Sequence, residues 1–133
     1  MLTDLSGKTK LVPVLASPVD HVIAPSAYNP AFAERGLNWL MVPMGVDPVD
    51  LAATLKQLAR VTNLQGVNLT IPHKSQAFSL CQWVTEEARV SGMVNTLRLE
   101  EKGIWSGTNT DGTGFLNALR AQKMLDVTRP VFV

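Results

Sequence analysis

Apolar positions along this chain fall into short unbroken or alternating runs, and longer stretches of helical spacing lie between them. Lys10–Ala16 is a nearly continuous apolar run, the pattern of a strand buried on both faces, with Pro13 placing it near a sheet edge. The polar residues 1–9 before it form a loose lead-in. A second strand is expected over residues 38–44. In residues 67–71, Val67, Leu69 and Ile71 alternate with Asn68 and Thr70, the period of a strand with one polar face. Residues 93–99 predict another strand, joined through a hairpin loop at 100–103 to a partner at 104–106.

Helices fill the intervals. After a two-proline loop at 17–25, Ser26 is placed to cap a helix to about Arg35, where Gly36 stops it. Asp47-Pro48-Val49-Asp50 combines a capping side chain, a first-position proline and a first-turn acid, and Leu51, Leu55 and Leu58 with Ala52 and Ala59 then form an apolar stripe. Pro72 suits the first turn of a helix running to about Cys81. Residues 85–90 predict a helical turn ending at Gly92, and a last helix runs from about Asp111 through Phe115, Leu116 and Leu119 to Lys123. Residues 129–133 look like the opening of one more strand. The alternation implies an α/β fold of three layers, a mostly parallel sheet with helices on both faces and one antiparallel hairpin.

Bulk properties narrow the function classes. At 133 residues the chain is one domain with room for a real core. A formal net charge of +1 with no basic block argues against nucleic acid as a partner. Cys81 stands alone, which rules out an intrachain disulfide and suits a reducing compartment. No apolar run approaches the roughly 18–20 residues that span a bilayer, and Asp4 and Gly7 interrupt any secretory signal, so a soluble cytoplasmic domain is expected. His21, His73 and Cys81 make no metal-ligand spacing.

In sheets of this kind ligands lie beyond the carboxyl ends of the strands, and three clusters are candidates to meet there. The first is Asn68, Thr70 and Lys74. A lysine in the first turn of a helix sits beside unpaired backbone donors, so its ammonium is disfavoured unless an anion is close, and it becomes a candidate for proton exchange. A solvated helix lysine fits the same pattern. The second is Asn95, an amide that interrupts the apolar row of Met93, Leu97 and Leu99 and needs partners from backbone, water or ligand. The third is the run Gly107-Thr108-Asn109-Thr110-Asp111-Gly112-Thr113-Gly114-Phe115. Asp111 reads there either as an N-cap or as a carboxylate within reach of Lys74. The glycines fit neither a dinucleotide fingerprint nor a phosphate loop.

Together these stretches resemble the shikimate dehydrogenase family, specifically its N-terminal substrate-binding domain. Gly66-Val67-Asn68-Leu69-Thr70-Ile71-Pro72-His73-Lys74 is similar to the family's G-x-N-V-T-x-P-x-K block. Gly92-Met93-Val94-Asn95-Thr96-Leu97 resembles its G-A-V-N-T-L strand, and Asn109-Thr110-Asp111-Gly112-Thr113-Gly114 its N-T-D-G-x-G segment. Order and spacing agree for all three. The resemblance implies reversible NADP-linked reduction of a cyclic keto acid, typically 3-dehydroshikimate to shikimate. It makes Lys74 and Asp111 the catalytic pair and has Asn68, Thr70 and Asn95 hold the ring hydroxyls. The substrate is then a small cyclic polyol acid.

Two departures from the family pattern are expected to matter. The family's H-S-x-S-P loop, whose serines bind the substrate carboxylate, is here His21-Val22-Ile23-Ala24-Pro25. Val22 and Ala24 replace both hydroxyls, which points to a substrate other than shikimate or to other donors for its acid group. Residues 1–128 match the substrate domain, and 129–133 would open the first strand of a cofactor domain that lies beyond Val133. The chain alone is then expected to lack hydride transfer, and apolar surface left by the absent segments could support a homodimer. A non-catalytic small-molecule binding module is the alternative class.

Overall fold

A computed structural model describes residues 5–124 and Thr128. The strand expected over 129–133, and with it the domain boundary drawn after residue 128, lies outside the described residues.

Six strands form one sheet: β1 (Lys10–Ala16), β2 (Trp39–Gly45), β3 (Val67–Leu69), β4 (Trp83–Val84), β5 (Thr96–Leu99) and β6 (Trp105–Thr108). Their spatial order is β2-β1-β3-β5-β6-β4. Only β5 runs against its neighbours, antiparallel to both β3 and β6, while the β1–β2, β1–β3 and β4–β6 pairs are parallel. The mostly parallel sheet and its hairpin are therefore as the periodicities imply. The two-residue strand β4 has no counterpart in the sequence reading, because its length is too short to show a period.

The helices are α1 (Ala24–Glu34), α2 (Leu51–Leu58), α3 (Lys74–Leu80), α4 (Glu86–Ser91) and α5 (Asp111–Ala121). Strand alternation sorts the sheet into two faces. Leu15, Val67, Leu69 and Leu97 share one face and bury against Leu51 and Leu55 of α2, Ala77 of α3 and Ala88 of α4. Each of those leucines is at most 2% exposed, and each contributes about 1.5–3 kcal/mol by leaving water. On the other face Val14, Asn68, Thr96 and Thr108 stand opposite one another across four strands. Helix α1 covers part of that face, where Phe32 meets Trp39 edge-on at 5.4 Å and Asn29 bonds both the N–H and the C=O of Met41.

Several boundaries differ from the sequence expectation for identifiable reasons. Helix α1 begins at Ala24 with Ile23 in the capping position, three residues early; Ser26 does not cap it, because its hydroxyl donates to the Ile23 carbonyl inside the first turn. Asp47 makes no cap either. Its carboxylate accepts from the Ser17 hydroxyl, and a 3-10 turn over Pro48–Asp50 precedes α2. Strand β3 stops at Leu69, and Pro72 lies in the turn before α3 rather than at its first position. Asn95 precedes β5 and Met93 is 41% exposed, so the two do not extend an apolar strand row with Leu97 and Leu99. The turn expected at 85–90 is α4, capped by the Thr85 hydroxyl and ended by Gly92 at φ +65°.

Candidate active site

The three candidate clusters converge where β3, β5 and β6 meet the starts of α3 and α5. Gly66 allows β3 to lie close to β5: a Cβ there would stand 2.8 Å from the Leu97 carbonyl oxygen. After Leu69 the chain turns, with the Thr70 N–H donating to Leu15 and the His73 N–H to the Thr70 carbonyl. That turn delivers Lys74 as the first residue of α3. His73 is fully buried, and neither ring nitrogen has a hydrogen-bond partner among the described residues.

Asp111 is the first residue of α5, with Thr110 in the capping position and making no side-chain cap bond. The reading of Asp111 as an N-cap is thus corrected. Asn109 takes the Asp111 N–H through its side-chain carbonyl at 3.0 Å, which leaves the Asp111 carboxylate for other partners. One oxygen receives Lys74 Nζ at 2.6 Å and the other receives Asn95 Nδ2 at 2.8 Å. The two side chains are 25% and 53% exposed, so the pair sits at the pocket wall in contact with solvent. Partial burial pushes the Asp111 carboxyl up, but hydrogen bonds from Lys74 and Asn95, together with the lysine charge, outweigh it and hold the group below its ordinary value.

Asn95 is the joint of this arrangement. It is 6% exposed, donates to Thr110 Oγ1 and Asp111 Oδ1, and accepts from the Thr110 N–H and the Thr96 hydroxyl. Thr96 in turn accepts from Asn68 Nδ2 at 3.2 Å. A continuous hydrogen-bonded chain therefore runs from Asn68 through Thr96 and Asn95 to Asp111 and Lys74. Thr70 spends its backbone on its neighbours and keeps its hydroxyl free of partners among the described residues.

These groups border a pocket of about 270 Å³. Asn68, Thr70, Lys74, Asn95, Thr110 and Asp111 make one side of it. His21, Val22, Ile23, Ala24 and Tyr28, from the loop before α1 and from α1, make the other, and Val14 and Leu69 complete the lining. All seven residues singled out from sequence thus border one cavity. Three polar lining residues carry no role in the sequence reading, Thr110, His21 and Tyr28, and neither does Thr96, which lies outside the lining and joins Asn68 to Asn95. Tyr28 had a usable signal, since it follows Ala24 by one helical turn and shares its face. Thr96 had none, because its place beside Asn68 depends on the β3–β5 register.

A nicotinamide cofactor does not fit the described residues. Gly112 and Gly114 open α5 without positive φ, and a Cβ at either would meet nothing within 4 Å, so they form no cradle for a pyrophosphate. No group of three His, Cys, Asp or Glu side chains among the described residues is placed to hold a metal ion. No helix among them is long and apolar enough to cross a membrane.

Comparison with known proteins agrees with this architecture. A family model described as the shikimate dehydrogenase substrate-binding domain matches residues 14–97. An NADP(+) shikimate dehydrogenase of Rubrobacter xylanophilus is 43% identical over 116 residues, 87% of this chain and 40% of the relative. The structure of shikimate 5-dehydrogenase from Thermus thermophilus in complex with shikimate is similar at a TM-score of 0.82 and 34% identity, covering 92% of this chain and 46% of that one. A 5-ketofructose reductase of Gluconobacter sp. strain CHM43, in its ligand-free form, matches at a TM-score of 0.80 and 26% identity, covering 87% and 41%. The chain spans about 40% of the length of the curated relatives it matches.

Proposed function

The chain belongs to the shikimate dehydrogenase family through its substrate-binding domain, and from that premise we propose that it binds a small polyol ring and manages the proton in an NADP-linked ketone–alcohol interconversion. The observation that carries the proposal is the Lys74–Asp111 contact of 2.6 Å at the wall of a pocket of about 270 Å³. As a ketone is reduced, negative charge grows on its oxygen and must be neutralised by a proton or a nearby cation. The Lys74 ammonium can do either. Asp111 orients it, and Asn95 orients Asp111. Asn68 and Thr70 are suited to read ring hydroxyls, and Asn95 would join them by exchanging its bond to Thr110 for one to the substrate. In a relative named as NADP(+)-dependent the reduced cofactor, NADPH, would supply the hydride for ketone reduction; the described residues here supply the proton side alone.

Val22 and Ala24 support a substrate that departs from shikimate, since neither offers the hydroxyl a carboxylate would use. That a related structure is named for a ketose reductase is consistent with such latitude. A cytoplasmic setting accords with the biosynthetic relatives, and the half-exposed Phe115 and Leu116 on α5 offer apolar surface for self-association or a further domain.

The test is Lys74→Ala in the protein carrying a cofactor domain. Turnover with NADP is expected to fall by about 10²–10⁴-fold, while the substrate dissociation constant changes far less. Undiminished turnover would remove Lys74 from the chemistry.

A further inference from the structure

We infer that the pocket selects an uncharged polyol or keto-polyol over a carboxylate, with Val22 and Ala24 setting that preference. The inference rests on reading this pocket as the substrate site, as proposed above.

Charge is the first reason. Lys74 is the only lysine or arginine among the pocket residues, and its ammonium is already paired with Asp111. The pair is neutral overall, so an incoming anion meets the Asp111 carboxylate as readily as the lysine. His21 is the one other side chain there that can carry positive charge, and it lies exposed at the rim, where solvent screens it.

The second reason is the supply of donors on the wall that faces the Lys74 side. Val22, Ile23 and Ala24 bring none from their side chains. The Val22 N–H is spent on the Val19 carbonyl at 3.0 Å, the Ser26 N–H and hydroxyl both go to the Ile23 carbonyl, and Pro25 has no N–H, so the Ile23 and Ala24 N–H groups at the start of α1 are the backbone donors left. Tyr28 is left as the wall's side-chain hydroxyl. The start of α1 favours an anion through its macrodipole, an effect of about two- to fivefold in affinity at an open helix end. A carboxylate pressed against this wall gives up water and finds two backbone N–H groups but no serine hydroxyls beside them, fewer donors than its lone pairs require, whereas a hydroxyl or hydroxymethyl group gives up little.

The opposite wall suits the same class. The Asn68 side-chain carbonyl and the Thr70 hydroxyl have no partner among the described residues to compete with a ligand, and both are uncharged groups matched to ring hydroxyls. The pocket thus reads hydroxyls on one side and packs an apolar or neutral edge on the other.

Calorimetric titration of the 133-residue chain at pH 8, above the ordinary imidazole range, compares shikimate with the analogue whose carboxylate is replaced by a hydroxymethyl group. The analogue is expected to bind about tenfold tighter. Shikimate binding as tightly or more tightly overturns the inference and leaves the proposed function standing. Binding of neither compound overturns both. The Val22→Ser/Ala24→Ser double variant, checked for folding by circular dichroism, is expected to gain about ten- to a hundredfold for shikimate and little for the analogue. A folded variant with no such gain removes Val22 and Ala24 as the selecting residues, and the wild-type comparison decides the substrate class whether or not the variant folds.

Discussion

Replacing Asn95 by aspartate exchanges one NH2 group for an oxygen and tests the whole hydrogen-bonded joint. Asn95 and aspartate have nearly the same shape, so the acceptor for the Thr110 N–H and the Thr96 hydroxyl is retained. The donor to Asp111 is lost, and a second carboxylate oxygen takes its place 2.8 Å from Asp111 Oδ1. Losing a hydrogen bond to a charged group costs about 1.5–3 kcal/mol. Two unit charges at that separation repel by about 1.5 kcal/mol with water-like screening and about 6 kcal/mol at an effective dielectric near 20. Asp111 is 53% exposed and Lys74 offsets part of the repulsion, so the expected loss of stability at pH 7.5 is about 2–4 kcal/mol. The pH dependence has a definite sign. In the wild type the Asp111 carboxyl lies below its ordinary value, so its contribution is complete above about pH 4 and is lost as pH falls through the lowered value. In the variant one of the two carboxyls is raised instead, so its penalty is absent near pH 4 and grows as pH rises through that higher value. Urea denaturation followed by the fluorescence of Trp105, which is 5% exposed, gives both numbers. A loss below about 1 kcal/mol at pH 7.5, or one equally large at pH 4.5, would refute the role assigned to Asn95.

Two further predictions concern the scaffold. A Cβ at Gly107 would lie 2.7 Å from Val94 Cγ1 and 2.8 Å from Cys81 Sγ, so Gly107→Ala should cost about 1–3 kcal/mol in denaturant unfolding through overpacking; a neutral result would mean that β6 and α3 have slack to give. Burial pushes the Cys81 thiol up to about 11 from 9.0, so alkylation at pH 7.5 should run about 100-fold slower than for a free cysteine and recover that rate in urea; rapid labelling of the folded chain would contradict the burial.

The strands and helices with several residues of clean period were legible in the chain itself. Lys10–Ala16 and the stripe of Leu51 and Leu55 stand where their spacing put them, because buried apolar faces tolerate little else. Capping was less legible. Ser26, Asp47 and Asp111 all have side chains that cap helices well, yet each found a stronger partner nearby: the Ile23 carbonyl, the Ser17 hydroxyl and the Lys74 ammonium. Propensity ranks the options of a side chain in isolation, and tertiary neighbours choose among them.

The same division holds at the lysine corner. From residue types and order came the family resemblance, the seven residues around the pocket and the loss of two hydroxyls at Val22 and Ala24. Only the tertiary structure decided how those groups are joined. Lys74 and Asp111 are 37 positions apart in the chain, and nothing local brings them within hydrogen-bond reach. The β3–β5 and β5–β6 pairings align Asn68, Thr96 and Thr108, and the end of β6 then carries Asp111 to Lys74. A strand slipped by one residue would turn Asn68 and Thr96 into the apolar core and break the chain of bonds to Asp111. Register depends on the summed burial of Leu15, Leu69, Val67 and Leu97 across distant strands, a property of the packed sheet that no single segment contains.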